Sequence, residues 1–184
     1  MALQDIFAGC TQRPLLPAEP MTKHTSFHIG GPAELMAQPQ SEAELQSLLL
    51  KAAEAAVPVT LVGNGSNLLV RDKGIRGLVI KLGSMLRDIK VSGNVLTFGS
   101  GVSLAQASKK AAELGLSGME FAVGIPGSIG GAVYMNAGAY DGEMSKVVKS
   151  VRVMDAAGEV SELAADKLDF GYRHSALQGS GKIV

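Results

Sequence analysis

Val59-Thr60-Leu61-Val62-Gly63-Asn64-Gly65-Ser66-Asn67 is the stretch on which the fold turns. Val59–Val62 is a short β-type run, and it delivers the chain into a loop of glycines alternating with small polar residues. Glycine lets main-chain N–H groups converge without side chains in the way, and such a nest can take phosphate oxygens. An ordinary turn fits the same composition, so both readings stay open here. Leu68-Leu69-Val70 continues the apolar pattern and predicts a loop anchored at both ends by buried strands.

Working outward, the periodicity alternates between helix and strand. Ser41 and Glu44 have capping-box spacing, and Leu45, Leu48, Leu49, Ala52 and Ala56 follow at helical intervals, with a stop before Pro58. Leu78-Val79-Ile80 is a second β-type run, which closes a small α+β unit. Residues 86–99 read as a hairpin turning at Ser92-Gly93-Asn94, and Ser103 with Gln106 opens a helix ending at Gly115. A hairpin over 147–163 turns near Ala157-Gly158, and a helical turn leads to Phe170-Gly171-Tyr172-Arg173-His174-Ser175. Residues 1–20 carry three prolines and read as a poorly ordered lead or a short helix, with ordered structure expected from near Met21. Lys182-Ile183-Val184 reads as the start of a strand, which predicts that the chain is cut before a further domain. The expected division is a lead at 1–20, one subdomain at 21–85 and a second at 86–184.

The totals exclude several classes. Of 184 residues, 46% are hydrophobic and 18% charged, with a formal net charge of zero, so a core is available and a dedicated nucleic-acid binder is not indicated. A single cysteine, Cys10, excludes an internal disulfide framework and a multi-cysteine zinc site, and suits a reducing cytosol. The three histidines are not read as a metal cluster, no carboxylate pair stands out, and no metal is expected. The N-terminus does not read as a signal peptide, no apolar stretch is long enough to span a membrane, and a cytoplasmic location is expected. Met21, Met36, Met85, Met119, Met135, Met144 and Met154 are most simply core filling.

Two near-motifs fail at positions they cannot do without, the second of them also at Ala176, where a P-loop has its first glycine. Gly99-Ser100-Gly101 has Leu104 where a dinucleotide fingerprint needs glycine, and Gly179-Ser180-Gly181-Lys182 has Ile183 where a P-loop needs Ser or Thr. Gly124-Ile125-Pro126-Gly127-Ser128-Ile129-Gly130-Gly131-Ala132 is more informative. Ser128 can cap a helix running toward Asn136, and Gly130 and Gly131 inside it would each cost roughly 1 kcal/mol relative to Ala. Something should pack flat against them, a ring system or another helix.

Taken in order, His24–Gly31, Gly63–Asn67, Gly124–Ala132, Tyr134–Tyr140 and Phe170–Ser175 resemble the UDP-N-acetylenolpyruvoylglucosamine reductases over about residues 21–184, in the shorter of the two subclasses. The resemblance implies an α+β FAD-binding fold of the vanillyl-alcohol-oxidase type, two subdomains with non-covalent FAD between them. Gly63, Asn64, Gly65, Ser66 and Asn67 match the pyrophosphate loop. Gly124, Ile125, Pro126, Gly127, Ser128, Gly130 and Gly131 match the strip along the cofactor, and Asn136 and Gly138 are likewise implied in cofactor binding. Tyr172 is implied in substrate binding, and Arg173 as the catalytic arginine. The implied reaction moves hydride from NADPH by way of the flavin to the enolpyruvyl group of UDP-N-acetylglucosamine-enolpyruvate, giving UDP-N-acetylmuramate for peptidoglycan. The family's proton-donating serine and catalytic glutamate have no counterpart in this chain. Asp141 stands where glycine is usual, and His28 where Arg or Lys is common. Another non-covalent flavoprotein of the same fold, or a stand-alone flavin-binding module, are the alternative expectations.

Overall fold

The computed structural model describes residues 2–82 and 86–184. Met85, expected in the core, lies outside the described residues. The chain forms two compact units, Met1–Leu86 with Ala156–Gly158, and Arg87–Asp155 with Glu159–Val184.

The first unit starts earlier than its composition suggests. After a short helix α1 (Leu3–Ile6), Phe7 and Cys10 are buried, and β1 (Leu16–Pro20) pairs antiparallel with β2 (Pro32–Ala37). Of the two readings of residues 1–20, the short helix is present as α1, and the strand β1 shows that order begins before Met21. The prolines Pro17 and Pro20 are compatible with a strand because β1 lies at the sheet edge, where proline is tolerated. Helix α2 (Glu42–Glu54) is capped by Ser41, whose hydroxyl accepts from the Glu44 N–H, and buries Leu45, Leu48, Leu49 and Ala52. The Glu44 carboxylate accepts from Gln40 N–H at 2.8 Å and Gln12 N–H at 3.3 Å, so it ties the helix start to the preceding chain. Ala56, read as part of the helical repeat, instead lies beyond the helix end with φ +51°.

β3 (Val59–Val62) and β4 (Ile75–Lys81) complete a sheet of order β1-β2-β4-β3, with β4 parallel to both β2 and β3. Leu78, Val79 and Ile80 are fully buried, as a central strand flanked by parallel partners requires. Val62 is in register with Lys81, so both strands end together and the loop after β3 leaves from that end.

The second unit is built from hairpins around a separate core. β5 (Ile89–Ser92) and β6 (Val95–Phe98) turn at Gly93-Asn94, with Gly93 at φ +56°. Helix α3 (Leu104–Glu113) has a complete capping box, Ser103 with Gln106. Helix α4 (Ile129–Tyr134) follows, then β7 (Gly138–Ala139) with β8 (Gly142–Glu143), and β9 (Ser150–Met154) with β10 (Val160–Ala164). Ile183 joins β9 as a single bridge, exchanging N–H and carbonyl bonds with Met154 at 2.8 Å. Leu104, Ala122, Leu168 and Leu177 are at the centre of the core. Among the expected core methionines, Met21, Met36, Met119, Met144 and Met154 are buried and Met135 is half-buried.

Leu104 is completely buried at the start of α3. Leu104→Ala should cost about 2–5 kcal/mol through lost burial and the cavity left behind. Ser103→Ala, which removes only the cap, should cost about 0.5–2 kcal/mol. Urea unfolding followed by circular dichroism checks the order of the two effects.

Candidate functional site

In the first unit the loop 63–67 is a bend and turn beyond β3. Gly65 has φ +67°, and a Cβ there would lie 1.9 Å from the His24 carbonyl oxygen. Glycine is thus demanded by the protein itself, since the loop rests on the His24–Thr25 backbone, and Ser26 N–H donates to Gly65 O at 3.1 Å. The expectation of strands on both sides is corrected: Leu68–Val70 form no strand and Leu69 is 66% exposed. Val70 is buried beside Met21, Val62 and Val79, so one apolar anchor replaces the second strand. The N–H groups of Asn64, Gly65, Ser66 and Asn67 donate to no other described residue.

The segment bracing this loop carries a polar relay that the sequence did not reveal. His24 is nearly buried, with Nε2 2.9 Å from the Glu19 carboxylate and Nδ1 2.8 Å from Lys81 Nζ. A charged lysine only donates, so Nδ1 accepts and Nε2–H donates to Glu19. The His24 bond is the main influence holding the Glu19 carboxyl below its ordinary range. Burial, opposed by Glu19, pushes the Lys81 ammonium below its ordinary value.

In the second unit the strip 124–131 runs beside residues 99–104. Leu104 N–H donates to Gly127 O, Ile129 N–H to Val102 O and Gly130 N–H to Ser100 O, at 2.8–2.9 Å. Ser128 caps α4 by accepting from Gly131 N–H. Gly130 and Gly131 are therefore in the first helical turn and not its interior. A Cβ on Gly130 would meet Ser100 Cβ at 2.9 Å, so close packing explains that glycine. A Cβ on Gly131 would meet nothing nearer than Ser128 Oγ at 3.5 Å, and one on Gly124 nothing within 4 Å. Both are exposed. Thr25 Oγ1 in the first unit and Ser100 Oγ in the second are buried hydroxyls with no partner among the described residues.

A cleft of about 220 Å³ in the second unit is lined by Asn136, the 138–143 hairpin, Lys146, Tyr172 and Arg173. Tyr172 and Arg173 form the tip of a tight turn whose ends, Gly171 and His174, exchange N–H and carbonyl bonds at 3.1 Å. Tyr172 is 89% exposed, and the Arg173 guanidinium lies 5.3 Å from its ring centroid. Arg173 Nη2 donates to Gly138 O at 2.9 Å. Glu143 is held below the ordinary carboxylate range chiefly by the Ser145 hydroxyl, then by the Asn136 amide, with smaller contributions from Lys146 and Arg173.

Of the residues singled out from sequence, Asn136, Gly138, Tyr172 and Arg173 come together at this cleft. Gly124–Gly131 belong to the same unit, whereas Gly63–Asn67 belong to the first. Asn136 is 1% exposed, with its amide committed to Gly171 O and Ser145 N–H. Gly138 offers its carbonyl to Arg173, and a Cβ there would strike Gly142 O at 2.6 Å. Glu143 and Lys146 also line the cleft and were missed, although they flank the quoted Tyr134–Tyr140 run. Among the described residues no group of histidine, cysteine and carboxylate side chains could hold a metal, and no helix is long and apolar enough to cross a membrane.

The profile of a family described as "FAD binding domain" matches residues 33–164, and the chain belongs to that family. Its curated relatives include the UDP-N-acetylenolpyruvoylglucosamine reductase of Pediococcus pentosaceus, 50% identical over 92% of this chain and 56% of that protein. A crystal structure of UDP-N-acetylenolpyruvylglucosamine reductase (MurB) from Thermus caldophilus superposes with TM-score 0.77 at 34% identity, covering 93% of this chain and 59% of that one. The 6-hydroxy-D-nicotine oxidase of Arthrobacter nicotinovorans, TM-score 0.61 at 19% identity over 85% of this chain and 37% of its own, shares the fold alone. The α+β FAD-binding fold of the vanillyl-alcohol-oxidase type is thereby established. The chain spans somewhat over half the length of the curated relatives it matches.

The lowered Glu19 carboxyl has a consequence for acid stability. Its contribution is present above the ordinary carboxylate value of 4.5 and is lost as pH falls through the depressed one. Glu19→Gln should therefore flatten the loss of stability on acidification, measured as the urea midpoint against pH. An unchanged acid limb would show that the Glu19–His24 contact contributes nothing.

Proposed function

We propose that this chain is the FAD-binding portion of a reductase that converts UDP-N-acetylglucosamine-enolpyruvate to UDP-N-acetylmuramate with NADPH. The observation that carries this reading is 50% identity to a reductase of that name across nearly the whole chain. The site chemistry agrees with it.

The residues present fit FAD on the structure's own terms. Four successive N–H groups at Asn64–Asn67, without a partner among the described residues, suit phosphate oxygens. Exposed glycines at 124 and 131, with open space where side chains would stand, leave backbone free to approach a flat group. The unpartnered hydroxyls of Thr25 and Ser100 are polar groups beside the loop and the strip. Gly63–Asn67 and Gly124–Gly131 would hold the cofactor without a covalent bond, and FAD supplies, when bound, the two-electron carrier chemistry between nicotinamide donor and enolpyruvyl acceptor.

Arg173 is the residue that acts on the substrate, with Tyr172 as the aromatic surface beside it. Hydride addition at C3 of the enolpyruvyl group drives charge onto the carboxylate attached to C2. A fixed guanidinium stabilises that developing charge more than the ground state, which is the condition for catalysis. Its planar fork can meet a carboxylate with two parallel bonds. The proton delivered to C2 and most of the substrate's binding surface come from outside these residues, so this chain alone should not turn over.

Two measurements test the reading. The purified chain should take up FAD in an absorbance titration. Gly131→Ala, in the first turn of α4, should leave the ligand-free protein as stable or slightly more stable, by less than the roughly 1 kcal/mol of a helix-interior site, while weakening FAD binding. Equal FAD affinity in both would remove the strip from the cofactor site. In the complete enzyme, Arg173→Ala should lose about 2.7–4 kcal/mol of transition-state stabilisation, if the contact resembles an oxyanion-hole donor. Arg173→Lys should retain part of the activity. By stopped flow, flavin reduction by NADPH should be nearly unchanged and reoxidation by the enolpyruvyl substrate slowed. Wild-type reoxidation in Arg173→Ala would exclude it as the catalytic arginine.

A further inference from the structure

Helix α4 ends in a backbone turn that has a preferred residue, and the chain does not use it. Ala137 N–H donates to Ala132 O at 2.8 Å and Asn136 N–H to Val133 O at 3.1 Å, the paired bonds of a Schellman motif. The residue at its centre must take positive φ, and Asn136 does so at +42°. Glycine is the usual occupant because it has no Cβ to strain. The structure itself supplies comparisons. Helix α3 closes the same way on Gly115, and α2 on Ala56, whose side chain has nothing to offer.

The Asn136 side chain, by contrast, is fully engaged. Its Nδ2 donates to Gly171 O at 2.9 Å, across 35 residues, and its Oδ1 accepts from Ser145 N–H at 2.9 Å. Gly171 is the first residue of the turn that carries Tyr172 and Arg173, and Ser145 follows Glu143 on the other wall of the cleft. Further bonds act on the same turn. Gln178 Nε2 donates to Arg173 O at 3.1 Å and Tyr134 O at 3.2 Å, and Ser175 Oγ donates to Tyr134 O at 2.7 Å. Arg173 sits at φ +54°, which a long side chain adopts only when its surroundings hold it there.

We infer that Asn136 is a positioning residue: its buried amide locks the Gly171–His174 turn to the opposite wall of the cleft and so fixes where the Arg173 guanidinium points. Asn136 acts through Arg173 rather than through the cofactor contact that the resemblance implied, because its buried amide is committed to Gly171 O and Ser145 N–H. The inference rests on the reading of Arg173 as the cation that meets the substrate carboxylate. The bracket itself stands on the geometry alone.

Asn136→Gly is the informative substitution, because it keeps the backbone turn and deletes only the bracket. Asn136→Asp keeps an acceptor for Ser145 N–H and loses the donor to Gly171 O. In the chain described here, both variants should be cut by trypsin after Arg173 several-fold faster than the wild type. Cutting after Lys51, in the first unit, should be unchanged, whereas general unfolding would raise both. FAD affinity by titration should stay within about twofold of wild type. In the complete enzyme, misaiming the guanidinium should slow reoxidation by the enolpyruvyl substrate on the order of 10²-fold, with flavin reduction by NADPH unchanged. Wild-type cutting at Arg173 in both variants overturns the bracket, and so does a large loss of FAD affinity with the turn still protected. Wild-type reoxidation in a variant whose turn is loosened overturns the positioning role. A wild-type complete enzyme that does not reduce the enolpyruvyl substrate would defeat the functional reading, while the trypsin result would still decide the bracket.

Discussion

Where α4 ends, the chain has to turn through a left-handed residue, and the second unit's site is arranged around how that turn is made. The carbonyls of the last helical turn are satisfied by Asn136 and Ala137 N–H, which sets the direction in which the chain leaves toward β7. β7 then presents Gly138 O to Arg173. The same helix end offers Tyr134 O to Ser175 and Gln178, which anchor the far side of the Arg173 turn. A six-residue helix is too short to be stable by itself. Its burial of Ile129, Ala132 and Val133 in the unit's core is what makes it a firm platform. Packing in the core thus reaches the cleft through backbone carbonyls, with few flexible links between.

The first unit solves a similar problem with the roles reversed. Here the special backbone residue is a true glycine, Gly65, because the space a side chain would need is occupied by the His24 carbonyl. His24 in turn is fixed by its ring, held between Glu19 on the edge strand and Lys81 at the end of the central strand. The loop, whose four N–H groups have no partner among the described residues, is therefore supported from beneath by the sheet's own termini. A preformed loop of this kind has little ordering entropy left to lose when an anion arrives. This explains why a polar relay nearly buried beside the loop is tolerated: its groups satisfy one another, and what they stabilise is geometry.

Much of this was legible because it is local. The capping pair Ser103 with Gln106, the Gly93-Asn94 hairpin and the apolar run Leu78–Ile80 each announce themselves within a few residues. The misreadings have the opposite character. β1 was hidden because its prolines argue against a strand, and only its position at the sheet edge makes them acceptable. Glu44 has the right spacing for a reciprocal cap but finds Gln40 and Gln12 instead. The His24–Lys81 contact spans 57 residues and Asn136–Gly171 spans 35, and no periodicity reports such pairs. For the cleft, the family resemblance named Tyr172 and Arg173 but said nothing of what holds them. The signal that was available is the asparagine at a helix end where glycine is expected, a substitution that asks what its side chain is for.

The charges around the cleft add a last step. Arg173 and Lys146 stand with Glu143 and Asp141 along the same lining, so the cleft is close to neutral before any ligand arrives. A cation fully paired with a carboxylate would be a poor receptor for a second one, since the newcomer would have to displace the first. Arg173 avoids this. Its guanidinium donates to a carbonyl, Gly138 O, and lies over an exposed ring, so among the described residues its charge is oriented without being neutralised by contact. Glu143 meanwhile accepts from the Ser145 hydroxyl. Asn136 therefore reaches both walls: its Nδ2 steadies the turn that carries the cation, and its Oδ1 holds the backbone of Ser145, whose hydroxyl meets the anion. An arginine kept aimed and unpaired in this way retains its bidentate face for an incoming carboxylate, which is the property the proposed chemistry requires.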